Sequence, residues 1–138
     1  MSTGARRIQA GDELPSWETP VITPELIRKY AEASGDFNQI HIDPEYARKA
    51  GHPGVIAHGM WSVAQLANLV QRWAGTSFIR ESRARFVGVM PAGECLTCRA
   101  RVRAVREDGL VEIEAWTERP DGRRTTEALF VVDVPRAT

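Results

Sequence analysis

The chain has 138 residues, 43% of them hydrophobic, and carries 18 basic and 18 acidic side chains. That length suits one domain with a real core, and a formal charge of zero excludes a general attraction to nucleic acid or to an anionic membrane. No window approaches the roughly 18 uninterrupted apolar residues of a membrane span, and MSTGARRIQAGDELP lacks an apolar stretch of signal-peptide length, so the expectation is a soluble, cytoplasmic protein.

Residues 1–15 are expected to be a partly extended leading segment. TPELIRKYAEAS, from Thr23, then reads as a helix: a capping threonine, proline at the first helical position and glutamate near the positive end of the dipole. Leu26, Ile27, Tyr30 and Ala31 give it one apolar face, and Gly35 stops it. DPEYARKAG, from Asp43, repeats the same grammar in a shorter helix that ends at Gly51 and Pro53.

HGMWSVAQLANLVQRWAG, from His58 to Gly75, is apolar around most of its circumference, leaving only a stripe of Ser62, Gln65, Asn68 and Arg72. A helix of this kind must be buried on several sides, and Trp61 and Trp73 are expected to be core or subunit contacts. The wrapper is sought in FIRESRARFVGVM, ECLTCRARVRAV, LVEIEAWTE and RRTTEALFVVDV, strand-like runs parted by PAG, REDG and RPDG. Four successive strands with short turns predict an antiparallel meander covering the helix. Arg80, Arg83, Arg85, Arg99, Arg101 and Arg103 fit a solvated outer face better than an anion site, and the lone pair Cys95 and Cys98 reads as ordinary thiols.

SGDFNQIHID, residues 34–43, places Asp36, Asn38 and His41 between the first two helices. On one straight helix Asp36 and His41 would stand about 140° apart, so they converge only on a bent loop, for which Gly35 and the Asp43-Pro44 helix start provide. Two readings follow. Asp36 and Asn38 can simply build turns while His41 fills space, or the acid, the amide and the imidazole can hold and deprotonate one water. AHGM, opening the long helix, supplies a possible second half: amides at a helix start favour developing negative charge, and Gly59 has no side chain to block a ligand. The plain alternative is that His58 only caps or covers the first turn.

YAEASGDFNQIHIDPEYA followed by GVIAHGM resembles the MaoC-like, (R)-specific enoyl-CoA hydratase family, and AGDELP and RFVGVMPAGECL extend the resemblance over roughly residues 8–134. It implies an α+β hotdog fold, an antiparallel β-sheet wrapped around a long central helix, with residues 1–138 as one such domain. It further implies Asp36 and His41 as the catalytic pair. Asn38, Gly59 and His58 would serve the substrate, Gly59 as amide donor to the thioester oxygen. The implied reaction is reversible hydration of a trans-2-enoyl thioester to the (R)-3-hydroxyacyl thioester, with no metal or organic cofactor beyond the coenzyme A or acyl carrier protein of the substrate. A homodimer is expected, a heterodimer being the other arrangement. Gln39 stands where the family has proline, and His52 matches no functional position. The competing classes are a non-catalytic acyl-tunnel subunit of a heteromeric hydratase and a hotdog thioesterase.

Overall fold

The structure, a computed structural model, describes residues 7–75 and 78–134; the start of the leading segment, residues 1–6, lies outside them. Thr23 caps α1 (Pro24–Ser34) by accepting the Leu26 N–H on its hydroxyl at 3.0 Å. The helix ends on Gly35 at φ 79°, a left-handed conformation that glycine adopts without steric cost. Ile27 and Ala31 are its fully buried residues, with Leu26 and Tyr30 packed beside them. A single turn, α2 (Gln39–Ile42), follows, and then α3 (Pro44–Lys49), capped by the Asp43 carboxylate on the Glu45 N–H. The long helix is α4 (Gly59–Ala74).

Five strands form one antiparallel sheet: β1 (Trp17–Glu18), β2 (Phe78–Phe86), β3 (Thr97–Val105), β4 (Val111–Glu118) and β5 (Arg124–Asp133). Their order is β1-β3-β4-β5-β2. Only β3, β4 and β5 make the expected meander. β2 does not turn into β3; it crosses to the far edge and pairs with β5, from Phe78 opposite Asp133 to Phe86 opposite Thr126. The stretch VGVMPAGECL between them is a connection pinned to the core: Met90 and Leu96 are core residues, and their carbonyls accept from Ala57 and Thr19. Apolar residues held this way cannot make a tight hairpin, so the PAG signal marks a bend inside a crossover.

The burial of α4 has a two-sided cause. Leu66, Leu69 and Val70 pack on the inner face of the sheet, whereas Trp61 belongs to a second core with Ile22, Ile27, Val55, Met90 and Leu96. Across the sheet Ala100, Ala115, Ala128 and Ala84 stand opposite one another in register. This row of small side chains leaves room for the larger residues of the helix to interdigitate. The outer face is solvated, as expected, with Arg99 paired to Glu118, Arg101 to Glu114, Arg103 to Glu112 and Arg80 to Asp133. Exposed pairs of this type contribute at most about 1 kcal/mol each. Cys98 is buried, which pushes its thiol up to about 12, and both cysteines are free. No helix among the described residues is long and apolar enough to cross a membrane.

Candidate active site

Residues 34–38 are held by their own side chains. The Asp36 N–H donates to Ser34 Oγ, the Asn38 N–H to Asp36 Oδ1 and the Ile40 N–H to Asn38 Oδ1, each at 3.2 Å. Asn38 is therefore the cap of α2, and the turn reading holds for Asp36 and Asn38 alike. His41, expected on the loop, sits inside α2. Gln39 occupies the first position of that turn with its side chain exposed. Proline is well tolerated there, so glutamine gives up some stiffening and costs no hydrogen bond. His52 is half-buried in the turn after α3.

His41 is 8% exposed, and its Nδ1 lies 2.7 Å from the carbonyl oxygen of Ile56. A carbonyl only accepts, so Nδ1 carries the proton of the neutral ring and Nε2 keeps its lone pair. Burial holds the imidazole pKa below its ordinary value; the Ile56 hydrogen bond opposes the shift, as does Asp36, while His58 adds to it. His41 is thus a neutral acceptor near pH 7.

His58 precedes α4 and is 2% exposed, but it makes no capping bond with its side chain. Its Nε2–H donates to the carbonyl of Asp36 at 2.9 Å, and its ring stacks on that of His41 with centroids 3.7 Å apart. The structure thereby brings Asp36, His41 and His58 together: one polar atom from each lies within 4.8 Å of the others. A single water bonded to two groups spans about 4.5 Å, a separation of the same order as this bound. A common metal fits poorly. The two rings are stacked and tilted by only 19°, whereas imidazole binds zinc in its ring plane at about 2.0–2.1 Å.

Gly59 opens α4 with no side chain capping the helix start. A Cβ there would stand 2.5 Å from Cε1 of Phe86, so the missing side chain makes room for that ring. Phe86 is 55% exposed at the end of β2 and can swing aside. Gly59→Ala is expected to destabilise the fold by about 1 kcal/mol, the low end for overpacking, and Phe86→Ala in the same chain to remove most of that penalty. Urea midpoints of the two single variants and the double variant check the coupling.

Sequence reading missed Ser62, assigned to the polar stripe of α4. It is fully buried, and its hydroxyl lies 2.6 Å from the carbonyl of Gly59 and 2.7 Å from Thr126 Oγ1. The hydroxyl donates to the carbonyl, so the Thr126 hydroxyl donates to Ser62. The one available signal was the pair Thr125-Thr126 in a strand with an apolar inner face.

Residues 9–119 match the family model described as a MaoC like domain. The chain belongs to the MaoC-like family. Among curated MaoC-like relatives, 3-hydroxyacyl-thioester dehydratase Z of Mycobacterium tuberculosis is 30% identical over 111 residues, 76% of this chain and 68% of that protein. Fatty acid synthase subunit beta of Saccharomyces cerevisiae is 31% identical over 121 residues, 85% of this chain. The match spans only 6% of that subunit, and 19% of 3-hydroxyacyl-thioester dehydratase X of Mycobacterium tuberculosis, which is 51% identical over 53 residues, 38% of this chain. Among solved structures, the (R)-hydratase from A. caviae involved in PHA biosynthesis superposes with a TM-score of 0.86 at 22% identity, covering 95% of this chain and all of that one. The MaoC-like fold is the hotdog, with α4 as its central helix. Dehydratases X and Z and the (R)-hydratase are, by name, enzymes of the hydro-lyase class.

Proposed function

We propose that the protein adds water reversibly across the double bond of a trans-2-enoyl thioester, giving the (R)-3-hydroxyacyl thioester. The membership of a family of 3-hydroxyacyl-thioester dehydratases supports the reaction class. The assignment to these residues is supported by an exposed Asp36 carboxylate and a buried, neutral His41 that offer polar atoms within 4.8 Å of each other.

In this reading the water lies between Asp36 and Nε2 of His41. One of the two takes its proton as the oxygen attacks C3, and C2 gains a proton from the same side. Charge builds on the thioester oxygen during attack, and the first amides of α4 at Gly59 lie at the positive end of a sixteen-residue helix. Asn38 acts through the loop, by capping α2 behind Asp36. No metal or organic cofactor takes part, the thioester itself bringing coenzyme A or an acyl carrier protein.

A second copy of the fold completes the assembly in this proposal. Among the described residues β2 pairs only with β5, and its inward residues Ser82, Ala84 and Phe86 are exposed, so both an edge and an inner face await cover. Two of the similar solved structures are complexes, ChsH1-ChsH2 and HadBC; the partner here is an identical chain or a paralogous hotdog.

The test is hydration of crotonyl-CoA, followed by loss of enoyl absorbance with free thiol assayed in parallel. Hydration without thiol release is expected. Thiol release without hydration would instead assign a thioesterase, and neither reaction on coenzyme A or carrier-protein thioesters would leave the acyl-tunnel subunit.

A further inference from the structure

His58 was expected to serve the substrate, but a side chain 2% exposed and walled by two rings is poorly placed to touch one. We propose that His58 is a positioning residue that holds the catalytic pair in register, through its hydrogen bond to the Asp36 carbonyl and its stack beneath His41. This inference rests on the Asp36/His41 reading above.

The two halves of the pair are anchored differently. His41 is tied to the core directly, by its own bond to Ile56 and by the Ile56 N–H, which donates to the Ile40 carbonyl at 3.2 Å. Asp36 has no such anchor. Residues 35–39 are all exposed, and every hydrogen bond they make stays within residues 31–43 apart from one. The exception, among the described residues, is the bond from His58, 22 positions away. Local turns fix the shape of a loop but not its place on the protein. The His58 bond therefore sets where the Asp36 carboxylate stands relative to His41.

The ring has a second effect. Stacked at 3.7 Å and only 19° from parallel, it backs the His41 imidazole and limits its tilt. Tyr30 supports His58 from α1, ring centroids 4.9 Å apart. The arrangement leaves Nδ1 of His58 buried with no hydrogen-bond partner. A buried acceptor without a donor is unfavourable by about 1–3 kcal/mol. A residue chosen only to fill this space would be apolar; histidine is the side chain that supplies both a flat ring and an N–H at its tip.

Two substitutions separate the contacts. His58→Gln keeps an N–H that reaches the Asp36 carbonyl, and His58→Phe keeps the ring without the donor. With crotonyl-CoA, His58→Phe is expected to lower kcat by about 10–100-fold, the scale of a displacement near 1 Å, while KM changes by less than about 3-fold. His58→Gln should recover part of the loss. The deciding measurement is a cycle with Asp36→Asn. If His58 acts through Asp36, then His58→Phe does little to the residual rate of the Asp36→Asn enzyme, whereas a merely structural role would lower both backgrounds alike. Should His58→Phe fail to fold, the same cycle is run with His58→Leu, which also removes the donor. Wild-type kcat in His58→Phe, or equal losses in both backgrounds, would overturn the inference. If Asp36→Asn itself hydrates normally, the underlying assignment of Asp36 fails instead.

Discussion

Asp36→Asn is expected to lower the hydration rate of crotonyl-CoA by about 10²–10⁴-fold, the usual contribution of a general acid or base. The substitution is a clean probe here. Asn keeps a side-chain oxygen, so the bond that Asp36 Oδ1 accepts from the Asn38 N–H can persist and the loop keeps its shape. The carboxylate is exposed and makes no ion pair among the described residues, so stability should change by less than about 0.5 kcal/mol. What is lost is the ability to take a proton from water. Steady-state rates beside thermal melts make the comparison, and a folded variant that hydrates within about 3-fold of wild type would remove Asp36 from the mechanism.

His41→Gln is expected to produce a loss of similar size, about 10²–10⁴-fold, and it also changes the response to acid. In the native protein the imidazole pKa is lowered chiefly by burial, so the ring stays neutral and able to accept a proton until the pH falls below its ordinary range near 6.5. The hydration rate should hold near neutrality and fall on the acid side, below that value. Stability follows the same direction. Between the lowered folded value and the ordinary unfolded one, the unfolded chain binds more protons than the folded chain. Stability therefore rises with pH across that window, and the contribution is lost as the pH drops through it. Gln can still donate to the Ile56 carbonyl, so the variant should fold but lose this part of the acid sensitivity. Rate profiles and urea midpoints from about pH 5 to pH 7.5 make the check. A rate unchanged in His41→Gln would exclude His41 from the proton transfer.

The parts of the fold written in neighbouring residues could be read directly. Thr23-Pro24 and Asp43-Pro44 start helices because cap and first turn lie within four positions, and Gly35 ends α1 for an equally local reason. The buried character of α4 was legible because its apolar residues outnumber what one face can hold. The partner of β2 was not: alternation shows that a strand forms and which face is apolar, but not which distant strand it meets. Ser62 was misplaced for the same reason, since periodicity around a helix contains no information about Thr126 across the core. At the site, Asp36, Asn38 and His41 were legible as a group. The tether that places Asp36 was not, because His58 is joined to it only through the backbone.

The crossover of β2 to the far edge of the sheet also sets an order of events for the growing chain. β2 is made at residues 78–86, yet its only partner among the described residues is β5, at residues 124–133, the latest of the five strands in chain order. Until β5 emerges, β2 has nothing to pair with and the sheet covering α4 is incomplete. The long-range pairing is entropically slow, and the waiting helix presents apolar residues that a nascent chain must keep from aggregating. A chain cut before Arg124 would therefore lose the pairing of two strands rather than one, and with it the part of the wall behind the helix that Ala128, Phe130 and Val132 supply.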